Sequence, residues 1–157
     1  MKPVFQSHTD LSQPELGDCL SACVASILEL PLEEVPKFCH PESDWPQNYC
    51  SWFGDRGLVA IELKWPAGRK DFKLNMPLPV GTYFIAHFSR PHFDWQHSVV
   101  AVYDGTMPDG YSIVHDPNPD GGDLGELRGF AFIALKEPWK HTNKIAFTPC
   151  SLLGRGA

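Results

Sequence analysis

No stretch of these 157 residues is apolar for long enough to cross a bilayer, and the opening MKPVFQSHTDLSQPE lacks the apolar core of a signal peptide. A cytoplasmic location is therefore expected. Basic residues are too few and too scattered to form a stripe: 13 Lys and Arg stand against 19 Asp and Glu, for a net charge of -6. The electrostatic footprint of a nucleic-acid binder is missing, so neither nucleic acid nor a membrane is an expected partner. Paired C-x2-C knuckles are absent too. Cys19, Cys23, Cys39, His40 and Cys50 have the wrong spacings for a structural zinc site, so no metal and no other cofactor is expected. The glycines of DPNPDGGDLGELRG come without the lysine of a phosphate loop and read as a turn. There is no internal repeat, low-complexity block or dividing linker, which leaves one domain over 1–157, long enough to bury a core without disulfides.

What is present is globular in composition, with 43% hydrophobic residues predicting a packed interior. Five cysteines is an odd number, and without an export signal reduced thiols are expected. Asp18 is placed to act as an N-cap. Leu20, Cys23, Val24, Ile27 and Leu28 then recur at helical spacing until Pro31 stops the helix, which puts Cys19 at its first position and Cys23 towards the core. LPLEEVPKF offers one short helical turn, and ESDWPQNYCSWFGDRG a loop and a second helix closing near Gly57. Trp45, Trp52, Phe53 and Trp65 read as core, with a substrate groove beside the Cys19 helix as the other use for them. From residue 58 the pattern becomes that of strands: LVAIELK, GTYFIAHF, HSVVAVYDG, GYSIVHD and FAFIALK, separated by Gly, Pro and Asp turns. Helices followed by a run of strands predict an α+β fold with the helices on one face of a mainly antiparallel sheet, and a frayed SLLGRGA tail.

A thiol attacks carbonyl carbon as its thiolate, and a helix N-terminus favours that anion. Alone, Cys19 reads more readily as a small buried hydrophobe, and only its company changes that. Acyl transfer also needs oxyanion donors, which Gln13 and the Cys19 backbone N–H can supply, although a loop glutamine is commonly surface. It needs a base. His97 opens the HSVV strand at the rim of the sheet, one of seven histidines of which most serve structure or solvent. It needs a group to orient that base, and Asp116 ends the next strand of the same hairpin. Asn118 or Asp120 would take that part if the turn were offset, and Asp, Pro and Asn also suit a turn for backbone reasons alone. FSRPHFDWQH, leading into His97, is expected to border the cleft, with Trp95 as a lid or subsite wall.

Taken together, Gln13, the GDCLSAC segment, the HSVV strand and the HDPNP strand end resemble papain-like cysteine peptidases, and most closely their bacteriocin-processing branch, the double-glycine peptidase domains of ABC exporters. Small bacterial and phage proteins with GDC…AC…LPLEEVP and HSVV…HDP segments are similar as well; phage origin would place the chain in the host cytoplasm. The likeness is specific over residues 13–36 and 97–121. It implies a Cys-bearing helix packed on a twisted antiparallel sheet that carries His97 and Asp116, with Cys19 as nucleophile, His97 as base, Asp116 as orienting group and Gln13 in the oxyanion hole. It further implies a cysteine peptidase or thiol hydrolase that cleaves a peptide or amide bond of a peptide or protein substrate through a thioester, with no metal. No exporter segment accompanies these motifs, so coupling of leader cleavage to transport is not carried over.

Two other readings use the same residues. An acyl or peptidyl transferase differs only in that an amine resolves the thioester. A non-catalytic binding or effector module would keep the cleft without turnover, and the complete Gln13, Cys19, His97 and Asp116 set argues against it.

Overall fold

The computed structural model describes residues 1–9, 17–39, 44–64, 78–91, 95–105, 110–138 and 140. Gln13, His40, Trp65, Cys150 and the SLLGRGA tail lie outside the described residues. Helix α1 spans Cys19–Leu28 and α2 spans Trp45–Asp55, with a 3-10 turn at Leu32–Glu34 between them. The strands are β1 (Leu58–Lys64), β2 (Tyr83–Ser89), β3 (Gln96–Tyr103), β4 (Tyr111–His115) and β5 (Leu127–Leu135). They form one antiparallel sheet in the order β1-β5-β2-β3-β4.

Helix α1 is buried from Leu20 to Ser26, so it runs through the interior and has no broad polar face. Its two buried hydroxyls are satisfied locally: Ser21 Oγ donates to the Pro36 carbonyl at 2.6 Å and Ser26 Oγ to the Ala22 carbonyl at 2.8 Å. The helix ends at Leu28, and its C-cap Glu29, two residues before Pro31, turns the chain with a left-handed φ of 57°. Asp18 differs from expectation. It occupies the N-cap position, but its carboxylate makes no capping bond and accepts instead from Ser7 N–H at 3.0 Å and Ser7 Oγ at 2.6 Å. A nearer pair of donors on the N-terminal segment outcompetes the helix for those oxygens.

Both helices pack on the same side of the sheet. Leu20, Cys23 and Val24 of α1 and Tyr49, Trp52 and Phe53 of α2 meet Ile85, Val100 and Ala131 in one cluster. Phe38, fully buried, joins them edge to face with Tyr49 and Trp52, at centroid distances of 4.9 and 5.7 Å. Alternate residues of the same strands, Phe84, Ala86, Val99, Ala101 and Phe130, build a second cluster on the opposite face. The centre of the sheet is therefore buried on both faces, which holds β2 and β3 rigid beneath the residues they carry.

The expected β3–β4 hairpin is present, with Val100 opposite His115 and Ala101 opposite Ile113. One extra residue, Val114, is thus accommodated on β4, a bulge that re-aims the end of that strand. The stretch read as a turn through Gly129 is corrected at its far end, because Leu127–Gly129 already belongs to β5. Gly129 is a poor strand former, but a Cβ there would come within 2.6 Å of the Leu63 carbonyl oxygen, so close strand approach requires glycine.

Candidate active site

Cys19 is the first residue of α1, and the helix rests chiefly on β3, the strand that begins with Gln96 and His97. The packing that buries Val24 against Val100 thereby brings the helix start to the strand start. Asp116 immediately follows β4, beside β3 through the hairpin. Three residues far apart in sequence converge for these reasons on one rim of the sheet.

His97 Nε2 lies 2.7 Å from Asp116 Oδ1, and the same ring hydrogen-bonds the Cys19 side chain. With Nε2–H given to the carboxylate, Nδ1 is free to accept a proton. Asp116 Oδ1 also accepts from the Asn118 backbone N–H at 2.9 Å. Asn118 thus supports the orienting group through its main chain, while its side-chain amide donates to the Gly121 carbonyl at 2.5 Å. Asp120 is exposed and its N–H donates to Asn118 Oδ1. The carboxylate against the imidazole is Asp116.

The electrostatics move each member of the site towards its charged form. Burial pushes the Cys19 thiol up, but hydrogen bonds from His97 and Ser98 and the imidazolium charge together outweigh it, and the pKa falls below the ordinary thiol value. Burial pulls His97 down, yet its bonds to Asp116 and Cys19 hold its pKa above that of an ordinary histidine. Burial likewise opposes ionisation of Asp116, and the His97 and Asn118 bonds overcome it, leaving the carboxyl below its usual range. The other displaced thiols move the opposite way: burial pushes Cys23 well up, and Cys39 to about 11. Of the three displaced thiols among the described residues, Cys19 alone is moved towards ionisation.

The first backbone bond of α1 runs from Ala22 N–H to the Asp18 carbonyl at 2.9 Å, so the N–H groups of Cys19, Leu20 and Ser21 stand outside the helical ladder. Because the Asp18 carboxylate is turned to Ser7, it does not cover them. Uncapped N–H groups beside a thiolate are what a developing oxyanion requires. Gln13, the expected side-chain partner, lies outside the described residues.

Cys19 and His97 line a cavity of about 420 Å³, with Trp95 and Trp45 among its walls. Trp95 is where the sequence places it, at the border of the cleft, and Trp45 lines the groove while Trp52 and Phe53 join the core. Three further lining residues were given no individual role from the sequence, although Arg90 lies in the FSRPHFDWQH segment expected to border the cleft. Ser98 hydrogen-bonds the Cys19 thiol through both backbone and hydroxyl. His87, opposite Ser98 on β2, places Nδ1 3.0 Å from the Ser98 hydroxyl and Nε2 3.4 Å from Glu62 Oε2. Arg90, just past β2, is 8% exposed. A cross-strand register makes the Ser98–His87 contact, and no spacing in the sequence announces it.

Compared with protein-family models, curated proteins and solved structures, the chain matches none of them.

Proposed function

We propose that the chain is a thiol hydrolase of papain-like architecture, cleaving a peptide or other amide bond. The observation that carries this reading is a single imidazole that hydrogen-bonds Asp116 at 2.7 Å on one side and the Cys19 thiol on the other, in the wall of a cavity. Each member is shifted towards its charged form, which is the resting state a cysteine nucleophile needs.

The Cys19 sulfur attacks the scissile carbonyl carbon, and the carbonyl electron pair moves to oxygen as a bond to sulfur forms. The N–H groups at the start of α1, joined by the Gln13 amide, stabilise that oxyanion. Collapse of the intermediate breaks the C–N bond, and His97 delivers its proton to the leaving amine. Water then attacks the thioester, giving its proton to the now neutral His97, and the acid product leaves with the thiolate restored. Asp116 holds the ring in one tautomer throughout.

Digestion of a diverse peptide mixture, read by mass spectrometry, tests the proposal. Wild type is expected to generate new termini that Cys19→Ala and His97→Ala do not. Identical digests from all three proteins would reject hydrolysis. A product carrying an added amine in place of water would assign the same residues to acyl transfer.

A further inference from the structure

We infer that Arg90 forms an anion subsite in the cleft and that the substrate carries a carboxylate close to its scissile bond; this rests on the thiol-hydrolase reading above. Arg90 lines the same cavity as Cys19 and His97 while being 8% exposed. Its Nε is closed off from solvent and has no hydrogen-bond partner, and among the described residues no carboxylate forms an ion pair with it. A buried guanidinium without a counter-ion is costly, and a fold retains one where an anion arrives. The charge of Arg90 is felt at Asp116, but the Oδ1 of that carboxylate already serves His97 and Asn118.

The surroundings leave room for the guanidinium. A Cβ built on Gly122, at a φ of +135°, would overlap Arg90 Nη1, so this glycine leaves the room that the guanidinium occupies. The Arg90 backbone N–H donates to the Trp95 carbonyl at 3.3 Å, which ties the residue to the loop leading into His97. The walls are also biased in charge. Arg90 and Lys64 share the described lining with one carboxylate, Asp18, whose oxygens accept from Ser7 and His8. Lys64 also meets Glu62 at 3.9 Å, on the edge of ion pairing. A cleft lined by Arg90 and Lys64 in a chain of net charge -6 favours anions there against the acidic balance of the whole. A planar carboxylate suits the guanidinium fork, and on a peptide it comes from an acidic side chain or from a free C-terminus.

Iodoacetate and iodoacetamide differ in charge and little in size, so the ratio of their alkylation rates at Cys19, mapped by peptide mass, reads the anion preference. A change common to both reagents belongs to the thiolate itself. The ratio is expected to fall about tenfold in Arg90→Gln and to recover in part in Arg90→Lys. An unchanged ratio in Arg90→Gln overturns the subsite even where Cys19 is highly reactive, whereas slow labelling of Cys19 by both reagents would count against the hydrolase and leave the ratio to judge Arg90.

A second measurement needs no variant. On wild type, N-acetylglutamate α-amide carries only the side-chain carboxylate, N-acetylglutamine only the α-carboxylate, and N-acetylglutamine amide neither. Protection of Cys19 from iodoacetamide by one of the charged pair, and not by the neutral amide, is expected. The protecting member assigns the carboxylate to an acidic residue or to a C-terminus. Equal effects of all three compounds overturn the proposal.

Discussion

Asp116→Asn isolates the contribution of one negative charge to the reactive thiol. The substituted side chain keeps its shape, and its amide oxygen can still accept the His97 Nε2 hydrogen that Asp116 accepts at 2.7 Å. What changes is the charge. A hydrogen bond to a charged group contributes about 1.5–3 kcal/mol and a neutral one about 0.5–1.5 kcal/mol, so the imidazolium loses roughly 1 kcal/mol or slightly more. The carboxylate is half-buried, and solvent screening keeps the loss at the lower end. Since the imidazolium sustains the thiolate, the ionised fraction of Cys19 on the acid side should fall by the same factor, about fivefold. The direction in pH follows from the shifts: Cys19 is lowered and His97 raised, each towards its charged form, so a variant that weakens the imidazolium moves the acid limb upwards. The assay is the rate of Cys19 alkylation by limiting iodoacetamide from acid to alkaline pH, with labelled peptides mapped by mass. A variant profile that overlays wild type at every pH would refute the reasoning. Faster labelling of buried Cys23 in the variant would instead report unfolding.

Ser98→Ala removes a hydroxyl donor from the Cys19 sulfur and the partner of His87 Nδ1, and should slow Cys19 alkylation on the acid side about fivefold, from the ~1 kcal/mol of one hydrogen bond, with the circular dichroism spectrum retained. Phe38→Ala empties the centre of the ring cluster with Tyr49, Trp52 and Phe53 and should cost about 3–5 kcal/mol in denaturant unfolding, far more than any change at the cavity rim. The folded pKa of Asp116 is depressed, so its stabilisation is present above the unfolded carboxyl value and lost as pH falls through the folded one; the melting-temperature gap between wild type and Asp116→Asn should close on acidification. For His97, raised in the fold, the stabilisation is present below the unfolded histidine value and lost as pH rises through the folded one, so the gap to His97→Ala should close on the alkaline side.

Much of the architecture is written locally. LVAIELK is β1 in full, and the β-branched cores of β2 and β3 lie within two residues of the expected runs because alternation and turn residues bound them on both sides. Strand order is not local: β1 pairs with β5, the last strand, across most of the chain, and nothing in either segment names its partner. Cys19, His97 and Asp116 were legible as a helix start, a strand start and a strand end, but it was the resemblance of the GDCLSAC, HSVV and HDPNP segments to papain-like peptidases that joined them into one site. Ser98 and His87 were not, because their roles come from standing opposite one another in the β2–β3 register. Arg90 lies in the FSRPHFDWQH segment expected to border the cleft, but its burial was not legible, because it depends on where the chain around Gly122 packs. Asp18 shows the reverse failure, a correct cap position whose carboxylate was claimed by Ser7 from another part of the fold.

The ionisation of Cys19 itself tests the account most directly, by following the thiolate ultraviolet absorbance against pH as the difference between wild type and Cys19→Ser, and repeating it in a His97→Ala background. The account predicts that the Cys19 step appears on the acid side of an ordinary thiol and moves to the alkaline side when His97 is removed, because burial then acts unopposed by the imidazolium. A Cys19 step at or above the ordinary thiol value in wild type, unmoved by His97→Ala, would contradict it and make Cys19 a core thiol at the edge of a cavity.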